Sequence, residues 1–176
     1  MNRPELFRRS SMHDASKGQA AAQATALADL VFTITVAGET FGLPIDCVRT
    51  VFRIGDVTPV PGAPPHMLGL INLRGKAVNA ICLRKRLDLR LNLSGSQNEK
   101  NPFAVCIEYA GEDFALIVDA VHDVVQFNEA QRIATPTHVA DVRARVTALL
   151  YNDAGRIVPV LDIERLVMET PIASAA

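Results

Sequence analysis

The chain has 176 residues, of which 49% are apolar, with no tryptophan and a formal net charge of −1. That is enough aliphatic surface for one ordinary domain, or two small ones sharing a core. The near-neutral balance excludes the basic footprint of nucleic-acid binding and charge-driven attachment to an anionic membrane.

Residues 1–29 are polar, then Ala/Gln-rich, and predict a disordered or partly helical arm. VFTITV alternates and is β-branched, which predicts a strand. AGET is a hairpin turn and FGLPI the return strand. DCVRTVFRI adds a capped turn and another strand. VTPVPGAPPHMLG is a connector in which prolines forbid long regular structure. LINLRGKAVNAICL predicts strand, turn at Arg74–Gly75, strand. LRKRLDL follows as a short helix and NLSGSQNEKN as a polar loop. FAVCIEY, AGED and FALIV form a second hairpin, and VTALLYNDAGRIVPVLDI a later one. The final helix, in DIERLVMET, has Asp162 as its N-cap.

Two of these stretches are the same unit. AGETFGLPIDCVRTV, from Ala37, returns as AGEDFALIVDAVHDV, from Ala110, at a constant offset of 73. Gly155–Leu161 lies over Gly75–Ile81 at an offset of 80, so seven residues are inserted between the matching blocks, within 126–145. Two copies of about five short strands each predict a mainly β fold. The expected architecture is two small five-stranded β-barrel subdomains packed side by side, with short helices and a C-terminal helix. The expected boundaries are an arm at 1–29, a domain at 30–168 with repeats at 30–91 and 102–168, and a tail at 169–176. A groove is expected at the seam.

Chemistry is sparse. Asp46 and Asp119 are equivalent by duplication, which explains them as turn caps better than as an acid/base pair. His13, His66, His122 and His138 have no metal-ligand spacing. Cys47, Cys82 and Cys106 form no C-x-x-C pair and read as reduced core thiols. No phosphate cradle or nucleophile elbow occurs. No catalytic residue, metal or cofactor is therefore expected. No apolar run reaches membrane-spanning length and no secretory signal core is present, so direct membrane insertion is not expected and a cytoplasmic location is. Arg74, at the tip of INLRGK, reads either as a solvated turn residue or as a guanidinium offered to a partner carboxylate or carbonyl.

GLPIDCVRTVFRI, PVPGAPPHMLGLINLRGK, VDAVHDVV and GRIVPVLDIERL together resemble the CheW-like domain family of bacterial chemosensory arrays, over about residues 30–168. The resemblance implies a non-catalytic adaptor with two kinds of partner. One is the regulatory domain of a CheA-type histidine kinase, the other the cytoplasmic tip of chemoreceptors. Carried over position by position, it implies partner contacts at Arg74, Asn72, Gly75 and Gly69, and apolar receptor-facing positions at Val48 and Phe103. Departures from the family pattern at Asn79, Cys82, Thr50 and Arg145 suit a dedicated array, such as one controlling type IV pili. The competing readings are a small enzyme built on Asp46, Asp119 and a histidine, and a nucleic-acid-binding barrel.

Overall fold

The computed structural model describes residues 30–89, 102–134 and 142–168. The expected arm, the polar loop and the tail lie outside these residues. The first copy supplies β1 (Leu30–Val36), β2 (Glu39–Pro44), β3 (Val48–Arg53), β4 (Val57–Thr58), β5 (Met67–Leu73) and β6 (Lys76–Cys82). The second supplies β7 (Phe103–Tyr109), β8 (Glu112–Val118), β9 (Ala120–Gln126), β10 (Arg132–Ile133), β11 (Thr147–Asp153) and β12 (Arg156–Leu161). The short helices are α1 (Leu83–Arg86), α2 (Val142–Arg145) and α3 (Ile163–Met168).

Four hairpins share one turn chemistry. Ala37-Gly38, Arg74-Gly75, Ala110-Gly111 and Ala154-Gly155 each place two successive residues at positive φ. This is the backbone twist that lets a two-residue loop join right-twisted strands without splaying them.

The strands form two six-stranded sheets, ordered β10-β11-β12-β2-β1-β9 and β3-β7-β8-β6-β5-β4. The fold is mainly β in two subdomains, as expected, but with six strands per sheet instead of five, and the sheets are open. Each sheet also mixes the two copies. The β1–β2 hairpin of the first copy joins the last four strands of the second, and β7–β8 joins the last four of the first. The cause is local. Pro44 ends β2, and a 3₁₀ turn at Ile45–Cys47 redirects the chain, so β3 pairs with β7 and not with β2. The parallel joints that result, β12 to β2 and β6 to β8, are sterically matched. Val160 faces Gly42 in one and Ala80 faces Ala115 in the other. A Cβ on Gly42 would collide with the Val31 side chain.

This exchange locks the halves together. The largest core cluster takes Ile34, Val36, Phe41 and Leu43 from sheet one and Ile81, Val105, Ile107 and Leu116 from sheet two. It is sealed by Leu83 and Leu87 beside α1 and by Ile163 and Leu166 of α3. The seam is therefore packed core along its buried length, and not the expected groove. Each sheet keeps a smaller private core, around Ile71, Val78 and Ile117 in sheet two and around Val31, Phe127 and Tyr151 in sheet one. The Phe127 and Tyr151 rings stack at 4.6 Å.

The helix starts differ as the sequence implies. Asp162 Oδ1 accepts the backbone N–H of Arg165 at 3.1 Å and caps α3. Cys82, at the same place before α1, makes no side-chain cap bond. Such a cap is worth ~1 kcal/mol, and α1 does without it because Leu83 and Leu87 are fully buried.

Candidate functional site

The β5–β6 hairpin carries the best-formed candidate. Its strands pair in register from Ile71↔Val78 to Leu73↔Lys76, so its tip is held rigidly. Asn72 Oδ1 accepts the Gly75 N–H at 2.8 Å, closing a side-chain bracket under the turn. The twin hairpin β11–β12 repeats that bracket, with Asn152 Oδ1 accepting from Gly155 at 2.7 Å. The duplication thus contains its own control. Where the other three turns place alanine at the first positive-φ position, this one places Arg74. The turn does not need a guanidinium. Arg74 is exposed and makes no hydrogen bond or ion pair with the described residues.

Asn72 and Gly75 belong to the turn's own framework. Gly69 is buried in β5 at φ 139, where the β5–β6 register shifts. A Cβ there would lie 2.7 Å from the carbonyl carbon of Thr58 and 2.9 Å from Pro59 Cα. Gly69 thus allows the Pro-rich connector to pack directly on β5 and sets the direction of the hairpin. Its place in the fold is beneath the surface.

Val48 and Phe103 lie on the neighbouring pair β3–β7. Val48 is half-buried against the large core and sits opposite Ile107. Phe103 is half-buried at the other end of the pair, opposite Arg53, whose guanidinium lies 3.8 Å from the ring centroid. All six singled-out residues therefore belong to sheet two, but they do not form one patch. β7 is three strand positions from β5, roughly 14 Å at the usual spacing. Val48 and Phe103 are separated by the length of β3.

The paired aspartates do not converge. Asp46 is exposed in the 3₁₀ turn beyond Pro44, whereas Asp119 lies at the opposite end of the β1–β2 hairpin, beside Thr35 and Ala37. Asp119 accepts from the Ala37 N–H and from Arg84 Nε at 2.9 Å, and pairs with Arg84 Nη2 at 2.7 Å. Its copy-mate has no such arginine, because the residue equivalent to Arg84 is Glu164. The expected symmetric capping is replaced by one anchored carboxylate and one solvated one. An acid/base site on this pair is thereby ruled out by distance.

The thiols are chemically quiet. Cys47 donates to the Pro44 carbonyl at 2.9 Å, and burial, reinforced by Asp46, pushes its thiol up to about 12. Burial also raises Cys106. Among the described residues no group of three or more His, Cys, Asp or Glu could hold a metal ion, and no helix is long and apolar enough to cross a membrane.

Sequence reasoning missed Arg86. It lies in LRKR, a stretch expected only to form a short helix, and it is 3% exposed. Its Nε donates to the Leu166 carbonyl at 2.7 Å and its Nη2 to the Arg165 carbonyl at 2.6 Å, so it holds the C-terminal end of α3. A cation at that helix end is favoured by the helix dipole. His66 is buried in the same region, and burial, with Arg86 as the second cause, lowers its pKa below the ordinary 6.5. The unfolded chain then binds more protons than the folded one as pH falls below 6.5, so stability declines through that window. The expected result is a melting midpoint that drops between pH 6.5 and 5, with a smaller drop in His66→Gln, read by thermal denaturation at each pH.

Comparison with known proteins agrees with this architecture. The family model described as CheW-like domain matches residues 30–170. The chemotaxis protein CheW of Treponema pallidum is 25% identical over 134 residues, covering 76% of this chain and 79% of that protein. CheW of Bacillus subtilis is 27% identical over 127 residues, covering 72% and 79%. The crystal structure of the scaffolding protein TtCheW from Thermoanaerobacter tengcongensis superposes with a TM-score of 0.71 at 25% identity, covering 81% of this chain and 94% of that one.

Proposed function

This chain belongs to the CheW-like domain family, and on that footing we propose that it is a non-catalytic adaptor coupling chemoreceptors to a CheA-type histidine kinase. Relatives named as chemotaxis and scaffolding proteins support the general role. The observation that carries the reading to a particular surface is Arg74. It is a guanidinium without a partner among the described residues, on a rigid hairpin whose sister turns use alanine. Five donors in a planar fork, carried on a turn whose backbone is already held, suit a carboxylate or carbonyl on a receptor helix. Val48 and Phe103, on the same sheet, would supply apolar contact.

The departures at Asn79 and Cys82 alter the strand that carries this hairpin. With Asn79 in place of proline, β6 and β8 hold four registered pairs, from Asn79↔Phe114 to Cys82↔Ile117.

The reading is tested by mixing the full chain with a CheA-type kinase and a receptor cytoplasmic fragment from the same organism. The expected result is a ternary complex by size-exclusion chromatography and kinase autophosphorylation that responds to the receptor only when this chain is present. Failure to bind either protein would overturn it. Retardation of DNA at moderate salt in the same preparation would favour the nucleic-acid reading instead.

A further inference from the structure

The two parallel joints of the molecule are built differently. The parallel joint β6–β8 keeps four registered pairs, but its counterpart β12–β2 keeps one, Val160↔Gly42. The position of Asn79 is held there by Pro159, which has no N–H to give to a ladder. Beyond that single pair no further ladder partners are registered, although the two strands stay side by side. A cleft of about 820 Å³ opens on this face, reaching from β9 across the joint to β11. That volume is in the range of small-ligand sites.

The lining is half polar, with its polar groups on definite sides. Thr35 Oγ1 and His122 Nε2 are 2.7 Å apart along one wall. The equivalent positions in the other half are Glu108 and Arg49, which quench each other as an ion pair. Thr40, Asp153 and Arg156 also line the cleft, and none of their side chains makes a hydrogen bond or ion pair with the described residues. Asp153 and Arg156 are register partners at the mouth of β11–β12, and their side chains form no ion pair. The remaining carboxylate, Glu39, is tied to Arg143 at 3.0 Å. Val125, half-buried against the private core of sheet one, supplies the accessible apolar wall, with Val158 packed beneath it.

We propose that this cleft binds a small zwitterion of the α-amino-acid class with an aliphatic side chain. The carboxylate is taken by Arg156 and the Thr40 hydroxyl, the ammonium by Asp153, and the side chain rests on Val125. One free cation and one free anion at the same mouth match a ligand carrying both charges. A simple anion would meet Asp153, and a simple cation would meet Arg156.

The test is titration of the full, isotope-labelled chain with L-leucine, followed by amide chemical shifts. Two truncated probes run in parallel: 4-methylpentanoate, which lacks the amine, and 3-methylbutylamine, which lacks the carboxylate. The expected result is saturable shifts at Thr35, Thr40, His122 and Val125 with L-leucine, and binding at least about tenfold weaker for either truncated probe. Asp153→Asn and Arg156→Gln, both at exposed positions, should each weaken L-leucine by a similar factor while the rest of the spectrum stays unchanged. If either variant misfolds, Thr40→Val serves as the third arm, with a smaller loss expected. The proposal is overturned by the absence of localised shifts at millimolar L-leucine. It is equally overturned if the truncated probes bind as well as L-leucine, or if well-folded variants bind as tightly as the parent.

Discussion

Arg74→Glu is expected to weaken receptor binding by at least about thirtyfold, equivalent to about 2 kcal/mol, while the thermal midpoint moves by only about 1–2 °C. The two halves of that expectation have separate causes. The turn is held by the Asn72–Gly75 bracket and by the strand register, neither of which involves the guanidinium. Exposed substitutions of this kind stay within about 0.5 kcal/mol. Binding, by contrast, loses a charge-assisted donor and gains a repulsive carboxylate. Arg74→Ala is the cleaner companion, since it recreates the Ala-Gly turn found at Ala37, Ala110 and Ala154. It should melt like the parent and lose a smaller share of the affinity. Affinity for a receptor fragment and a melting curve on the same preparations decide the matter. Unfolding of both variants, or full affinity in both, would remove Arg74 from the docking surface.

Gly69→Ala is expected to be the most damaging single change in sheet two, at about 3–5 kcal/mol and a midpoint lower by about 10 °C or more. At φ 139 a side chain strains the backbone by ~1–3 kcal/mol in itself. The added Cβ also meets Thr58 and Pro59, and the obstructing atoms are backbone. They cannot rotate away, because Thr58 is paired with Leu70 in the β4–β5 ladder. Gly55→Ala is the control: nothing lies within 4 Å of its Cβ and its φ is not positive, so its melt should match the parent. A Gly69→Ala protein that melts normally yet fails to bind partners would make Gly69 a contact residue and sink the positioning role argued for it.

Much of this molecule is legible in the chain. The offsets of 73 and 80 mark the duplication, and each X-Gly turn marks a hairpin. Asp162 reads as a cap and is one. Pro159 has no N–H to give to a ladder, but the alternation around it does not say which strand it would have faced. That is why the cleft beside it was not foreseen. Arg86 was not singled out because LRKR carries no apolar period. Its burial is tolerable only because two carbonyls at the end of α3, 79 and 80 residues later in sequence, accept its protons. Asp119 and Asp46 look identical as copies. They differ because one meets Arg84 and the other would meet Glu164.

Local pattern by itself determined the strands, the turns, the doubling and the rigid tip that carries Arg74. These depend on backbone conformations that neighbouring residues choose for themselves, through positive φ in the turns and alternation along the strands. Only the tertiary structure decided that the hairpins change places between the sheets, that the seam is filled, and that the joint beside Pro159 keeps a single registered pair. A period of two says which side chains point inward but is indifferent to the partner strand. Pairing between residues far apart in sequence is settled by the fit of whole faces, such as Val160 against Gly42 and Ala80 against Ala115.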